Sequence, residues 1–383
     1  MPSLLGGRDG ARPSMKTILA LETSCDETAV AILRDGNGQS GPDLLSSEVA
    51  SQIGEHEKFG GVVPEVASRN HLVQAPRLLE RALREAKIDL EQIDAFAATS
   101  GPGLASSLMI GASIAKGLAI GLGKPYLGTN HLEGHLLSPF FCESKILPNV
   151  SLVVSGGHTM TVFVRNIGDY EVIGRTVDDA AGEAFDKIAK LLGLGYPGGP
   201  DVEERAMNGN SKRFDLPRSM PDSENFSFSG LKTAVRYLLP KLAVLPNERE
   251  GSRNRSLDSR GPERDQSTSA GSLASAWDDR PLNDVCASVQ AAIVDVLVSK
   301  TIAAAKTRGV DLVTISGGVS CNKELRKQMA AACKRHRFEL KTAEPSLCTD
   351  NAAMIAFAAM LKLPTGRSSN VREEINPNLA LAV

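Results

Sequence analysis

The most informative stretch of the chain contains two histidines four residues apart. It runs Asn130-His131-Leu132-Glu133-Gly134-His135. In a helix, residues i and i+4 lie on the same face, so the imidazoles of His131 and His135 are placed to bind one cation between them. The alternative is that each imidazole only caps the helix or forms a hydrogen bond in the core. The spacing predicts a metal site and leaves this alternative open.

The same stretch lacks the general base of the zinc proteases. In their signature a glutamate directly follows the first histidine, and here Leu132 holds that place. Glu133 lies two residues after His131, so its side chain points roughly 200° around the helix from that histidine. We therefore expect the pair to bind metal without a hydrolytic base beside it.

A third metal ligand is available near the C-terminus. Asp350 lies in the stretch Cys348-Thr-Asp-Asn-Ala-Ala-Met354, where an apolar helix is predicted to begin and to run to about Leu361. Asp350 either caps that helix or supplies an oxygen ligand. In the second case it completes a two-histidine, one-carboxylate site with open positions for a substrate.

Composition limits the class of protein. The 383 residues suit two domains, and 42% hydrophobic residues can form full cores. The net charge of −2 gives no overall basic field, so any nucleic acid must be bound by a local patch or a partner. The six cysteines form no C-x-x-C pair, as expected in a reducing compartment. The apolar run Leu104–Leu122 contains Lys116 and several small polar residues, and we predict that it does not span a membrane.

The two halves of the chain repeat one pattern. Each contains a strand, a polar or glycine-rich turn and a second strand, and later a strand, a glycine turn and a helix. The repeated parts are Thr17–Leu33 and Asp94–Gly121 in the first half, and Ser151–Val164 and Asp311 onward in the second. This repeat predicts a duplicated α/β unit with a ligand cleft between two lobes.

Several shorter motifs allow two interpretations each. Glu22, Asp26 and Thr28 at the first hairpin bend are either ligands for a hydrated cation or phosphate, or ordinary solvated residues. The turn Ser100–Gly103 opens a helix, where free N–H groups bind anions, but its glycines equally suit close packing. Asp186 either binds a ribose hydroxyl or pairs with a lysine on its helix.

Two charged segments are predicted to lie at the surface. Lys334-Arg-His-Arg337 is favoured as a solvated face over an RNA contact. The stretch from about Pro246 to Pro281 is polar and charged, with few large apolar residues, and is predicted to be a disordered insert.

Taken together, these motifs resemble the TsaD family of tRNA adenosine threonylcarbamoyltransferases, once labelled O-sialoglycoprotein endopeptidases. The resemblance runs from about Lys16 to Leu361. It is carried by Leu21 to Thr28, Gly60 to His71, Ser100 to Gly103, Asn130 to His135, Ser155 to Thr159, Gly182 to Lys187, Tyr196 to Pro200, Phe228 to Thr233, Ser316 to Asn322 and Cys348 to Met354.

The resemblance implies a fold, a reaction and a set of ligands. The fold is the actin-like ATPase fold of sugar kinases and heat-shock proteins, with two duplicated ribonuclease H-like lobes around a nucleotide cleft. The reaction passes the threonylcarbamoyl group of threonylcarbamoyl-adenylate to N6 of the adenosine beside the anticodon, in tRNAs that read ANN codons. One divalent metal, iron(II) or alternatively zinc or magnesium, is expected on His131, His135 and Asp350. ATP or the adenylate is expected at Val153, Val154, Ser155, Gly156, Gly157, Asp186, Gly199 and Asn322.

The resemblance also implies partners. Besides tRNA and the adenylate, these are a paralogous non-catalytic subunit of the same fold (TsaB-like), a small P-loop ATPase (TsaE-like) and the enzyme that makes the adenylate. We expect no membrane contact and a bacterial cytoplasmic location, with a mitochondrial homologue as the alternative. The rival functions are a metalloprotease built on the two histidines and an actin-like kinase or nucleotide switch.

The expected domain organisation follows from the repeat and the insert. Residues 1–15 form a flexible extension, 16–130 the N-terminal lobe, 131–365 the C-terminal lobe and 366–383 a tail. The C-terminal lobe contains a helical insertion at about 175–240 and the disordered insert at about 246–281. Both the extension and the disordered insert exceed what the family resemblance leads us to expect.

Overall fold

The fold is built on two five-stranded mixed sheets. The computed structural model describes residues 16–36, 41–141, 143, 145–243, 279–363 and 368–381. The strands are β1 (Thr17–Glu22), β2 (Glu27–Arg34), β3 (Asp43–Ser51), β4 (Ala95–Gly101), β5 (Tyr126–Asn130), β6 (Asn149–Val154), β7 (Thr159–Asn166), β8 (Asp169–Arg175), β9 (Leu312–Ser316) and β10 (Glu339–Thr342).

Helices connect and cover these sheets. They are α1 (Ile53–Glu57), α2 (Pro64–Ala86), α3 (Ala105–Leu122), α4 (His131–Leu137), α5 (Ala181–Leu191), α6 (Gly198–Ala206), α7 (Ser229–Ala243), α8 (Asp279–Arg308), α9 (Lys323–His336), α10 (Pro345–Cys348) and α11 (Ala352–Lys362). Local sequence explains several boundaries: Pro64 occupies the first turn of α2, and Gly123 ends α3 in the left-handed conformation.

The predicted duplication is confirmed by the strand order. The first sheet has the order β3-β2-β1-β4-β5, and the second has β8-β7-β6-β9-β10 when it is viewed from its other edge. In each sheet the first two pairings form antiparallel ribbons, and the last two are parallel. Because the lobes repeat one topology, the carboxyl ends of β1 and β4 in one correspond to those of β6 and β9 in the other.

Each face of the sheets is packed by helices. Alternating residues of β1 point to opposite faces: Leu19 and Leu21 join a cluster with α2 and α3, whereas Ile18 and Ala20 join a cluster with α11. Helix α8 and the three helices α5, α6 and α7 form the core of the second lobe with β6 and β9. The chain thus returns to the first sheet through α11, whose sequence position is in the predicted C-terminal lobe.

Some sequence-based boundaries need correction. The glycine-rich run Gly193–Pro200 has the composition of a loop, but α6 begins within it at Gly198. Helix α8 begins at Asp279, so the end of the predicted insert is helical. The predicted extension at 1–15 and residues 246–278 of the insert lie outside the described residues.

Two helices are long and apolar enough, by length and composition alone, to cross a membrane. They are Ala105–Leu122 and Arg280–Arg308. The second is mostly buried inside the fold, and the first packs against β4 and α2.

Candidate functional site

The two histidines project from a short helix that follows β5 directly. Asn130 caps this helix, because its side-chain oxygen accepts hydrogen bonds from the N–H groups of Leu132 (2.9 Å) and Glu133 (3.3 Å). The rings of His131 and His135 meet edge to face with their centroids 4.8 Å apart. Both side chains are buried, and the predicted placement of the two imidazoles on one helix face is confirmed.

Asp350 faces these histidines and does not cap α11. The cap is its neighbour Asn351, which accepts from the N–H of Met354 at 2.9 Å. Asp350 Oδ1 lies 3.0 Å from His135 Nε2 and 3.6 Å from His131 Nε2. One ligand atom from each of the three residues lies within 4.8 Å of the other two. The capping interpretation of Asp350 is therefore wrong, and the ligand arrangement is the one observed.

Glu22 orients the first of the two histidines. Its Oε2 lies 3.1 Å from His131 Nδ1 and accepts from the Thr99 hydroxyl at 2.6 Å, while its Oε1 accepts from Ser24 N–H at 2.5 Å. Since a carboxylate accepts from the ring N–H, a proton lies on Nδ1, and Nε2 is the ring nitrogen that faces Asp350. A metal ligand held by a carboxylate in this way is a common arrangement in metalloproteins.

The charges around these residues favour a bound cation. Burial alone would lower the pKa of His131, but the Asp350 and Glu22 carboxylates raise it to about 9. Burial would raise the pKa of Asp350, but His131 and His135 hold it well below its usual range. The negative field that favours a proton on His131 also favours a metal ion on its Nε2, and the metal must displace that proton. Two imidazoles and one carboxylate therefore fit the expected metal.

Glu133 takes no part in this cluster. Its carboxylate accepts from the Tyr170 hydroxyl at 3.0 Å and forms an ion pair with Lys362 of α11. Tyr170 lies on β8, so this buried group connects α4 to a strand of the second lobe and to a helix on the first sheet. As the helix geometry predicted, Glu133 points away from the histidines.

A cleft of about 430 Å³ separates the two lobes and contains the metal cluster at one side. Six of the eight predicted nucleotide residues line it: Ser155, Gly156, Gly157, Asp186, Gly199 and Asn322. The side chains of Val153 and Val154 are fully buried in cores on opposite faces of β6 and do not line the cleft.

The glycine turn after β6 leaves open space. A Cβ added at Gly156 or Gly157 would meet no atom within 4 Å. By contrast, a Cβ at Gly182 would lie 2.6 Å from the Ser155 carbonyl oxygen, so α5 begins in direct contact with this turn. The space in front of Gly156 and Gly157 is available to a ligand that approaches the backbone closely.

Asp186 and Asn322 support loops at the cleft wall. Asp186 accepts from Gly198 N–H at 2.7 Å; burial raises its pKa, although the N–H groups of Gly198 and Gly199 partly oppose this. Asn322 caps α9 by accepting from Leu325 N–H at 3.0 Å and donates to Gln290 at 2.8 Å. Asp186 does not pair with a lysine in the structure; Lys187 instead pairs with Asp179 and Glu183.

His158 is a further histidine of the cleft that spacing alone did not single out. Its ring lies 6.1 Å from that of His131, centroid to centroid. Burial, followed by the positive charges of His131 and His135, lowers its pKa to about 4. It is therefore neutral at physiological pH.

The turn Ser100–Gly103 is closely packed. The N–H of Gly103 donates to the Pro377 carbonyl oxygen at 3.1 Å, and the N–H of Leu104 donates to the Ser24 carbonyl oxygen at 2.8 Å. A Cβ at Gly101 would lie 1.9 Å from the Asn376 carbonyl oxygen. Because these N–H groups already donate to protein carbonyl oxygens, they are not free to bind an anion. The packing interpretation of this turn is therefore favoured over the anion site.

The C-terminal segment 368–381 provides the Asn376 and Pro377 carbonyls and extends to α4, the helix that carries the two histidines. Asn130, the residue that caps α4, donates a hydrogen bond from its side-chain nitrogen to the Ala380 carbonyl oxygen at 3.0 Å. Leu381 packs against the cluster that contains Leu132 and Leu136. No pattern in the sequence signalled this contact.

Comparison with known proteins identifies the family. Residues 43–357 match the model of the family TsaD, tRNA N6-adenosine threonylcarbamoyltransferase. The chain belongs to the TsaD family. A protein of that description from Thermosipho africanus (strain TCF52B) is 42% identical over 367 residues, which cover 95% of this chain and 99% of the relative. Another, from Geotalea uraniireducens (strain Rf4), is 46% identical over 341 residues and covers 88% and 89%.

Solved structures agree on the fold of this TsaD family member. HypF in its phosphate- and nucleotide-bound form has a TM-score of 0.53 at 13% identity, covering 91% of this chain and 56% of HypF. HypF of T. kodakarensis has a TM-score of 0.55 at 15% identity, covering 92% and 48%. The chain thus spans about half of HypF. With the duplicated sheets, these matches show the expected actin-like ATPase fold.

Proposed function

We propose that this protein transfers the threonylcarbamoyl group from threonylcarbamoyl-adenylate to N6 of the adenosine beside the anticodon, in tRNAs that read ANN codons. The observation that carries the proposal is the family match over residues 43–357, which includes His131, His135, Asp350 and the turn at Gly156. Neither the site nor the comparisons favour the protease or the kinase alternative.

The reaction needs no protein nucleophile. The N6 amine attacks the carbamoyl carbonyl carbon, the bond to the phosphate oxygen breaks, AMP leaves, and N6 loses a proton. The open space at Gly156 and Gly157 admits the phosphate next to main-chain N–H groups. When bound, a divalent cation supplies polarisation of carbonyl and phosphate oxygens.

The residues that would hold this cation are His131, His135 and Asp350. Two imidazoles and one carboxylate form the donor set that iron(II) takes in many non-haem sites, and zinc also accepts it. Magnesium prefers oxygen ligands alone. We therefore propose iron(II), with zinc as the second candidate.

The paralogous partner subunit is proposed to bind the outer face of α2 and α3, which lie side by side. Leu72 and Val73 on α2 are 61% and 52% exposed, and Met109 and Ile120 on α3 are 57% and 65% exposed. The 18 residues of α3 include a single charged side chain, Lys116. An apolar helical face of this kind is typical of a protein interface.

The other partners and the location belong to the same proposal. The adenylate synthase follows from the reaction, which consumes an activated adenylate, and the small ATPase is implied by the family resemblance. The described cysteines Cys25, Cys286, Cys321, Cys333 and Cys348 are all free, which supports a reducing compartment such as the bacterial cytoplasm.

A reconstituted transfer assay tests the proposed function. The protein, its partner proteins, ATP, threonine, bicarbonate and unmodified tRNA are incubated, and the digested nucleosides are analysed by mass spectrometry. We expect threonylcarbamoyladenosine with wild-type protein and none with His131→Ala. The absence of product, when another family member succeeds with the same partners, would contradict the proposal.

A further inference from the structure

Helix α7 carries a cluster of basic side chains. Its three charged side chains, Lys232, Arg236 and Lys241, are all basic, and none pairs with an acid in the part of the chain that the structure describes. Elsewhere in that part, many cations are paired, for example Arg218 with Asp295 and Arg308 with Glu171. Because the whole chain has a net charge of −2, this face is a local basic patch and not part of a general positive field.

The same helix presents an aromatic ring to solvent. Tyr237 is 70% exposed and is adjacent to Arg236. Its hydroxyl forms no hydrogen bond with any described residue, so an internal hydrogen bond does not explain why this ring lies at the surface. An exposed tyrosine beside an arginine offers a flat surface on which an unpaired base can stack.

The helix begins close to the cleft. The carboxylate of Asp178 accepts from Phe228 N–H at 2.8 Å and from the Ser229 hydroxyl at 2.6 Å, at the first turn of α7. Asp178 shortly precedes α5, whose Glu183 N–H donates to the Gly156 carbonyl in the cleft at 3.1 Å. At 1.5 Å per residue, Arg236 lies roughly 10 Å along the helix from Ser229. A nucleic-acid loop that places a base in the cleft can therefore reach this face.

From these observations we infer that the solvent-facing side of α7, with the exposed Arg236, Tyr237 and Lys241 and the half-buried Lys232 at its edge, binds the stem-loop of the RNA substrate. This inference rests on the proposed function. Lysine and arginine contact the phosphates near the cleft, and Tyr237 stacks on an unpaired base of the loop. Single-stranded loops with splayed bases are the usual targets of such a combination.

The second basic segment, Lys334–Arg337, provides a matched control. It lies at the C-terminal end of α9, whose first turn is at the cleft wall beside Asn322. The 14 residues of α9 place this end roughly 20 Å from the cleft. Cations at a helix C-terminus also stabilise the helix through its terminal carbonyls, so this cluster has a structural role of its own.

The experiment compares RNA binding by variants of the full-length protein with its partners present. The α7 variant is Lys232→Gln with Arg236→Gln, and the α9 control is Lys334→Gln with Arg335→Gln. We expect the α7 variant to bind unmodified tRNA about tenfold or more weakly, with a plot of log Kd against log salt less steep by about 1.4. The KM for tRNA rises, while kcat at saturating tRNA and the affinity for the adenylate stay unchanged. The α9 control matches wild type.

Variants of Tyr237 separate stacking from charge. Tyr237→Ala should weaken tRNA binding without changing the salt dependence, and Tyr237→Phe should retain binding because it keeps the ring. Unchanged tRNA affinity in the α7 variant, or an equal loss in the α9 control, would overturn this inference alone. If wild-type protein neither binds nor modifies tRNA, both the inference and the proposed function fail.

Discussion

The two lobes repeat one strand order but present different chemistry to the cleft. In the first lobe, side chains converge: Glu22 at the end of β1 and the histidines that follow β5 lie at the candidate metal site. In the second lobe, the equivalent strand β6 ends in a turn of Ser155, Gly156 and Gly157, where the backbone is bare. The two lobes share one fold, but the first lobe presents donor side chains to the cleft and the second presents open space in front of its backbone.

This difference depends on which residues pack against the glycine turn of each lobe. On the first lobe, the C-terminal segment packs against Gly101 and Gly103 and occupies backbone groups that a ligand would need. On the second lobe, the room in front of Gly156 and Gly157 stays open. The comparison teaches that glycine turns of similar sequence have different roles, and that their neighbours decide which role each takes.

The largest expected effect on the first lobe comes from His135→Ala. Removing one of three ligands should lower metal affinity by more than about a hundredfold, since even indirect partners of a ligand contribute up to that factor. Metal content after dialysis and the circular dichroism spectrum would be measured together, with His336→Ala, a half-buried histidine at the far end of α9, as control. A folded variant that keeps its metal stoichiometry would exclude His135 as a ligand.

A smaller loss is expected for Glu22→Gln. The amide keeps the size of the side chain but removes the charge that orients His131, so metal affinity should fall about 10- to 100-fold. Titration with Co²⁺ would measure this. Glu133→Gln is the matched control, because Glu133 is also buried and lies on the same helix as the histidines but contacts Tyr170 and Lys362. It should lower the melting temperature while leaving metal affinity unchanged, and the opposite pattern would reverse the two assignments.

The smallest effect is expected for Asn130→Ser. Serine still caps α4 but cannot reach the Ala380 carbonyl, so metal affinity should fall only by about threefold, within the range of one net hydrogen bond. Deleting residues 379–383 should have a similar effect, and the two changes together should add little to either alone. Fully additive losses in the Co²⁺ titration would show that the C-terminal segment does not act through Asn130.

Sequence reasoning predicted the parts of the site that are encoded locally. Helical spacing placed His131 and His135 on one face and turned Glu133 away from them, and the repeated strand and turn patterns predicted the two lobes. Asp350 was ambiguous because Asn351, beside it, is an equally good cap. Only the fold shows which of the two adjacent side chains faces α4.

The remaining parts depend on contacts between residues distant in sequence. Glu22 and His131 are 109 positions apart, and Asn130 and Ala380 are 250 positions apart. The sequence showed that Glu22 was polar and lay at a bend, but its partner is set by the pairing of β1 with β4 and by the start of α4 after β5. Likewise, only the fold shows that Val153 and Val154 point into cores while the adjacent turn faces the cleft.

The division of the cleft into a metal edge and a nucleotide edge is tested most directly by measuring two affinities in two variants. Co²⁺ binding, and adenine nucleotide binding in the presence of EDTA, would be titrated for His135→Ala and Gly157→Val, with Gly117→Ala on α3 as a control glycine. We predict that His135→Ala loses the cation but keeps its nucleotide affinity. Gly157→Val should keep the cation and bind nucleotide about tenfold or more weakly, because the side chain fills the open space. Loss of both ligands in either variant, or unchanged nucleotide binding in Gly157→Val, would contradict the account.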